Sequence, residues 1–431
     1  MSMRRIIRLA ILVAIVFAVF PCAAHAQKVV AVSIEGGGRV LMLMDDGTVY
    51  SLGSKDDLQK VSIDNVTTVS AGSMVSLALR SDGTVWAWGD NYYGGLGDGT
   101  LNSSSTPVKV KGLANVVAIA VGDGTCYALK GDGTVWAWGR NDEGQVGDGT
   151  LEDRPEPVQV RGLSNIIALG EGGNYAIKND GTVWAWGSND ISEGSYGALG
   201  DNSGPGVRPI PFQVRGVSNV TQISNGGYHA IYVKDDGSVW GWGRYDLGQL
   251  GDGSTHSSRP LPVKPPSVKT QINNVKKVSG GSTALKNDGT VWEWGMFIGD
   301  PEPIPVKVKG LDHVVDISVR AGVKVALKDD GTVWGWGRAD GGGLFGWPKV
   351  VDPNPAFNYV VERDPVLLFS GPVQPTITMN PTSMNVTTVP NSPVVGQSGE
   401  PGIPSMDMDL DIVLAALMST AICLTKWRKG N

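Results

Sequence analysis

The side chains through which this chain of 431 residues could do chemistry are four histidines, three cysteines and a few short acidic turns. Their spacing gives none of them a partner. His25 lies in an apolar leader, His229 precedes an apolar strand where a packed or hydrogen-bonded role is expected, and His256 and His313 have no His or Cys at ligand spacing. Cys22 and Cys423 lie near the two ends, so Cys126 is alone in the body and neither a disulfide nor a cysteine metal site is expected there. The repeated Gly-Asp-Gly-Thr at Gly97 to Thr100 and Gly147 to Thr150 invites a calcium-loop reading. It lacks alternating acids and a terminal Glu, and reads as a structural turn. No nucleophile elbow, phosphate loop or dinucleotide fingerprint is present. The chain is therefore read as a non-enzyme with no cofactor and no metal.

The elements that position these residues are repetitive. Asp-Gly-Thr-Val-Trp, or a close variant, recurs seven times, with turn glycines Gly47, Gly83, Gly133, Gly181, Gly237, Gly289 and Gly331 spaced 36, 50, 48, 56, 52 and 42 residues apart. Asp-Gly supplies the positive φ of a tight β-hairpin. Trp86, Trp136, Trp184, Trp240, Trp292 and Trp334 follow in six copies, with Tyr50 in the first. Along Thr134 to Gly139, Trp136 and Trp138 share one strand face while Val135 and Ala137 share the other. Both faces are apolar, as expected of a sheet sandwiched between similar sheets, and Trp136 is expected to be buried between them. Pro107 to Leu113 and Val116 to Gly122 supply two more recurring strands, which makes four per unit. The expected fold is all-β, a seven-bladed propeller of four-stranded antiparallel blades. The chain looks as though it starts mid-blade, and Trp347 to Val351 resembles the missing outer strand. Ring closure is therefore expected by pairing of the N- and C-terminal strands in one composite blade.

Trp138-Gly139-Arg140-Asn141-Asp142-Glu143-Gly144-Gln145-Val146-Gly147 resembles the signature loop of the regulator of chromosome condensation repeats, and Trp242 to Gly251 and Trp88 to Gly97 are similar. Repeats one, six and seven depart, because Leu52-Gly53 runs into Ser54-Lys55 and Trp294-Gly295-Met296-Phe297 skips the loop. The resemblance covers about residues 29–351 and implies a seven-bladed propeller. Eukaryotic members of that family include exchange factors for small GTPases, and bacterial secreted members include β-lactamase inhibitors that bind through one propeller face.

The ends read as addresses. Residues 1–26 form a signal peptide: Arg4, Arg5 and Arg8, then an apolar run from Leu9 to Phe20, then Ala24-His25-Ala26 before Gln27, so cleavage falls between Ala26 and Gln27. The alternative, a membrane anchor, has too short an apolar run for a full span. Residues 27–370 form the propeller and residues 371–402 a Pro/Thr/Ser-rich spacer. Residues 403–431 resemble IPTL-type bacterial sorting tails: Ile403-Pro404-Ser405-Met406, acids at Asp407, Asp409 and Asp411, an apolar Ile412 to Leu424, and a basic Lys426-Trp427-Arg428-Lys429. The resemblance implies contact with the inner membrane before processing, and an exported, envelope, surface or secreted location in a Gram-negative bacterium; an amphipathic tail is the alternative.

The net charge is −6, and without residues 1–26 the chain carries 33 basic against 42 acidic residues. An acidic body without a basic stripe argues against nucleic acid. The expected partner is a protein, met by a monomer. Aromatic residues follow the Trp-Gly strand in most repeats, namely Tyr92, Tyr93, Tyr196, Tyr245, Phe297, Phe345 and Trp347. Repeat rotation brings equivalent loops to one face, so these are the candidate binding residues. The leading function is an exported protein-binding module, at the cell envelope or secreted. A structural component of envelope or biofilm matrix is the alternative; a polysaccharide lyase or hydrolase and a nucleotide exchange factor stand behind it.

Overall fold

A computed structural model describes residues 27–35, 38–53, 57–192, 195–200, 204–244, 246–253, 255, 259–263, 272–297, 300–340 and 359–370. The chain divides into two compact units, Met1–Pro375 and Thr376–Asn431, and the second lies outside the described residues. Blade 1 is β1 (Val29–Ile34), β2 (Val40–Met44), β3 (Val49–Leu52) and β4 (Leu58–Val61); blade 2 is β5 (Val66–Ala71), β6 (Val75–Arg80), β7 (Val85–Gly89) and β8 (Ser104–Lys109). Blade 3 is β9 (Val116–Val121), β10 (Thr125–Lys130), β11 (Val135–Gly139) and β12 (Arg154–Gln159). Blade 4 is β13 (Ile166–Leu169), β14 (Tyr175–Lys178), β15 (Val183–Ser188) and β18 (Val207–Gln213), with the small hairpin β16 (Asp190–Ser192) and β17 (Ser195–Tyr196) inserted between its last two strands. Blade 5 is β19 (Val220–Asn225), β20 (His229–Lys234), β21 (Val239–Gly243) and β22 (Arg259–Val263). Blade 6 is β23 (Val275–Ser279), β24 (Thr283–Lys286), β25 (Val291–Phe297) and β26 (Asp300–Lys307), and blade 7 is β27 (Val314–Arg320), β28 (Val323–Lys328), β29 (Val333–Asp340) and β30 (Tyr359–Phe369). The molecule is a seven-bladed β-propeller of four-stranded antiparallel blades.

Each hairpin forms for a local reason. The Asp82 carboxylate accepts the amide (3.0 Å) and hydroxyl (2.6 Å) of Thr84, and Gly83 between them has φ 75°. A side chain on Gly83 would also press on the backbone of Asn115, since the Val116 amide donates to the Gly83 carbonyl (3.2 Å). The turn of one blade is thus stitched to the entry of the next. The same Asp-to-Thr or Asp-to-Ser amide bond recurs in all seven hairpins.

Two expectations are corrected. Closure does not pair the chain ends: among the described residues every blade is built from a single continuous stretch of the chain, and blade 1 is complete within Val29–Val61. The ring closes by packing instead. Val29, Val32, Ile34, Val40 and Met42 form one buried cluster with Val323, Val325 and Leu327. Strand pairing is unnecessary because the apolar faces of blades 1 and 7 already bury against each other. The outer strand of blade 7 is β30, whereas Trp347 to Val351 lies outside the described residues.

The second correction concerns the tryptophans. Trp136 is half-buried, with Lys130 Nζ 5.4 Å from its ring centre, and its equivalents Trp86, Trp184, Trp240, Trp292 and Trp334 also lie under a Lys or Arg from the preceding strand. The ring lodged between blades is the second one. Trp138 is fully buried against Val75, Leu77, Val85 and Ala87 of blade 2. Both rings share a face, but the first lies nearer the hairpin end, where a long basic side chain covers it.

Candidate binding face

In each blade the chain turns at the Asp-Gly hairpin on one face of the disc. It turns between the first two strands, and again after the Trp-Gly strand, on the other. The post-Trp-Gly loops are rigid constructions. Asn91, fully buried, accepts the Leu96 amide (2.8 Å) and donates to the carbonyls of Thr100 (3.0 Å) and Asn102 (3.1 Å). Asn141 repeats this with Val146, Thr150 and Glu152, and Asn189 with Leu199 and Gly204. Asp98 and Asp148 accept the amides and hydroxyls of Thr100 and Thr150, so Gly-Asp-Gly-Thr is a turn of the hairpin type. The loops of blades 2, 3 and 5 then lie on the following blade: the Gly99, Gly149 and Gly253 amides donate to the carbonyls of Pro155, Pro209 and Pro303.

The loops also complete the core. The buried indoles Trp138, Trp186, Trp242 and Trp294 donate to the carbonyls of Gly95, Gln145, Ala198 and Gln249 in the preceding blade's loop, at 2.7–2.9 Å. Blades 1 and 6 lack the loop, and a carboxylate takes its place. Glu35 Oε1 accepts Trp88 Nε1 (3.1 Å), while Glu293 Oε2 accepts Trp336 Nε1 (2.9 Å) and Lys324 Nζ (2.7 Å). Sequence reasoning missed both the loop-organising asparagines and these two glutamates; the asparagine was visible in the Trp-Gly-x-Asn spacing.

On this scaffold Tyr92 is 76% exposed, whereas Tyr93 is half-buried with the Arg140 guanidinium of blade 3 5.7 Å from its ring centre. Tyr196 lies on β17 and Phe297 on β25, both beside the connections of this face; their side chains, and all of Tyr245, Phe345 and Trp347, lie outside the described residues. The leader with the Ala26 side of its cleavage point, the spacer and the tail lie outside them too, while Gln27 is described.

The axis is bridged by polar groups near the loop face. Arg320 of blade 7 reaches across to the Gly122 carbonyl of blade 3 (3.0 Å) and the Ser73 hydroxyl of blade 2 (3.3 Å). Glu171 of blade 4 accepts the Ser279 hydroxyl of blade 6 (2.7 Å), and burial pushes its carboxyl above the usual range. Around the axis on the hairpin face, the second residue of every innermost strand sits in a register break. Val30, Val117, Ile167 and Val315 are exposed there.

Titratable groups are engaged structurally. His229 is buried with Nε2 2.9 Å from the Gly281 carbonyl, and burial lowers its pKa to about 4, so the ring is neutral and donates. His313 is exposed at a strand entry with φ 61°, and His256 lies outside the described residues. Cys126 is buried, its thiol 3.4 Å from the Gly95 carbonyl. Among the described residues no three His, Cys, Asp or Glu side chains group to hold a metal.

Comparison with known proteins places this architecture. The profile of the RCC1-like domain matches residues 16–297. The chain is 33% identical over 135 residues to the regulator of chromosome condensation of Mus musculus, covering 26% of this chain and 31% of that protein. It is 36% identical over 104 residues to the mitochondrial RCC1 domain-containing protein RUG3 of Arabidopsis thaliana, covering 22% and 21%. It is 32% identical over 215 residues to the E3 ubiquitin-protein ligase HERC2 of Homo sapiens, covering 49% and 3%. The chain thus spans less than a third of the length of each of these relatives. Among solved structures, human WBSCR16 superimposes with a TM-score of 0.58 at 23% identity, covering 68% of this chain and 85% of that one. Yeast RCC1 (Prp20) bound to Kap60 superimposes at 0.53 and 24%, covering 63% and 70%. With the profile matching well over half of the chain, and with seven four-stranded blades in one propeller, this protein belongs to the RCC1-like domain family.

Proposed function

We propose that this protein is an exported, non-catalytic binding module that recognises a protein partner through the post-Trp-Gly loop face. The observation that carries the reading is Tyr92, three-quarters exposed on a loop that Asn91 holds rigid from beneath. A large aromatic on a pre-ordered loop offers contact area at little entropic cost, the usual character of an interface anchor. RCC1-like propellers typically mediate protein interaction, and the yeast relative was solved bound to Kap60. The buried, hydrogen-bonded state of His229 supports a non-catalytic reading. Residues 1–26 then direct export, and residues 403–431 hold the protein at the inner membrane before processing. The candidate anchors are Tyr92, Tyr196, Tyr245 and Phe297, with Phe345 and Trp347 in blade 7; Tyr93, tied to Arg140, supports the loop.

The test is capture from envelope extract with the purified propeller and with the combined Tyr92→Ala, Tyr196→Ala and Tyr245→Ala variant. One stoichiometric protein, bound at least about tenfold more weakly by the variant at unchanged melting temperature, is expected. Unchanged affinity would move the binding surface to the aliphatic ring on the hairpin face. Mass spectrometry of the exported protein should find Gln27 at its amino terminus, and a retained leader would refute export by cleavage.

A further inference from the structure

Among the described residues the outermost strand of each blade pairs with another strand on one side only, and six of the seven carry proline: Pro107 in β8, Pro155 and Pro157 in β12, Pro209 and Pro211 in β18, Pro260 and Pro262 in β22, Pro301, Pro303 and Pro305 in β26, and Pro365 in β30. Proline lacks an amide donor and so blocks a further strand from adding to the edge. In blades 3, 4 and 6 the loop of the preceding blade covers part of that edge as well, through the bonds to Pro155, Pro209 and Pro303. β4, Leu58-Gln59-Lys60-Val61, has no proline. Its first three residues are exposed, Leu58 at 37% despite its apolar side chain.

We propose that β4 is a docking edge on which an extended segment of a protein partner adds as a fifth strand of blade 1. The Gly53 amide donates to the Asp57 carbonyl (2.9 Å), and β4 pairs with β3 from Leu52↔Leu58 to Val49↔Val61. Bonded and non-bonded pairs alternate in an antiparallel ladder, so the amides and carbonyls of Leu58 and Lys60 point away from β3. That spacing is what an incoming strand requires. The occupant is a peptide segment and not a second copy of this chain, because four residues of strand bury far less than the ~1,000 Å² a stable interface needs. Leu58 and Lys60 share one face of the strand, so the segment is matched by an aliphatic and an acidic side chain two residues apart. Lys60 is available to it: its nearest acid, Asp64, is 3.8 Å away, and both side chains are more than half exposed.

The probe is a labelled peptide of sequence Thr-Val-Thr-Glu-Thr-Val-Thr, titrated against the full chain by fluorescence anisotropy. Lys60→Pro removes only an outward amide, as the prolines of the other edges do. It should weaken binding at least tenfold without changing the melting temperature, and a peptide N-methylated at alternate amides should not bind. Absence of binding at millimolar peptide, equal binding by Lys60→Pro, or equal binding of the N-methylated peptide would each overturn the proposal. If Lys60→Pro does not fold, hydrogen exchange in the unmodified chain decides: the Leu58 and Lys60 amides slow on adding peptide, or the proposal fails. A dimer that Lys60→Pro dissolves would make the occupant a second copy instead.

Discussion

In blades 2 to 5 the buried indole of the following blade donates to a loop carbonyl; after blades 1 and 6, which have no such loop, it donates to Glu35 or Glu293. A buried N–H left without an acceptor costs about 1–3 kcal/mol, so losing a loop creates a debt in the neighbouring blade that another acceptor must meet. A carboxylate meets it and brings a charge that needs its own partners. Glu35 gains the Ser51 and Ser76 hydroxyls, and Glu293 gains Lys324, each ionic side chain of that pair about a tenth exposed. The contrast teaches that the loops serve two purposes at once, closing the contact between blades and presenting side chains outward. Blade 1 runs the same economy to its end: Leu52 stands where the indole would be, and a leucine asks nothing of blade 7.

The largest effect should come from the indole itself. Trp138→Ala should lower the unfolding free energy by roughly 3–5 kcal/mol, and Trp136→Ala by only about 1–2, because its ring is half-buried under Lys130. Equal losses in denaturant would break the distinction between the two rings. Next comes the substituted acceptor. Glu293→Ala removes the acceptor of both the Lys324 ammonium and the Trp336 N–H and should cost about 3 kcal/mol, while Glu293→Gln, which keeps an oxygen for the indole, should recover part of it. A cost below about 1 kcal/mol would mean that the carboxylate does not replace the loop.

The third effect asks whether a titratable contact between looped blade 5 and blade 6 weakens with acid while carbonyl contacts do not. His229 has its folded pKa depressed from 6.5 to about 4 by burial. The unfolded chain therefore binds a proton first, and the contribution is complete above pH 6.5 and lost as pH falls toward 4. Its size is at most roughly 3 kcal/mol. Urea unfolding at pH 7 and pH 4.5 should show this loss in the natural chain and a flatter profile in His229→Gln. An identical pH dependence in both would assign the loss to other groups.

The repeat was legible because each hairpin is made within five residues. Asp-Gly-Thr fixes the turn by bonds between Asp82 and Thr84, and alternation then fixes which side chains share a face. The loop asparagine was partly legible for the same reason, since the side-chain bonds of Asn141 fall within 11 residues. Glu35 and Glu293 were not, because the indoles they accept lie 53 and 43 residues away across a blade contact that no local pattern encodes. Nor was the closure. Val29 and Val323 read alike as apolar strand residues, and only the completed ring shows that they bury against each other without pairing. The order of burial within strands such as Trp136-Ala137-Trp138 likewise waited for the fold: two tryptophans on one face are equivalent to the strand, and the neighbouring blade and the overlying lysine make them different. The sequence by itself thus determined the turns, the strand faces and the blade count, all set by interactions a few residues long. The acceptors between blades and the manner of closure were decided by packing, since they depend on which residues rotation around the axis brings together.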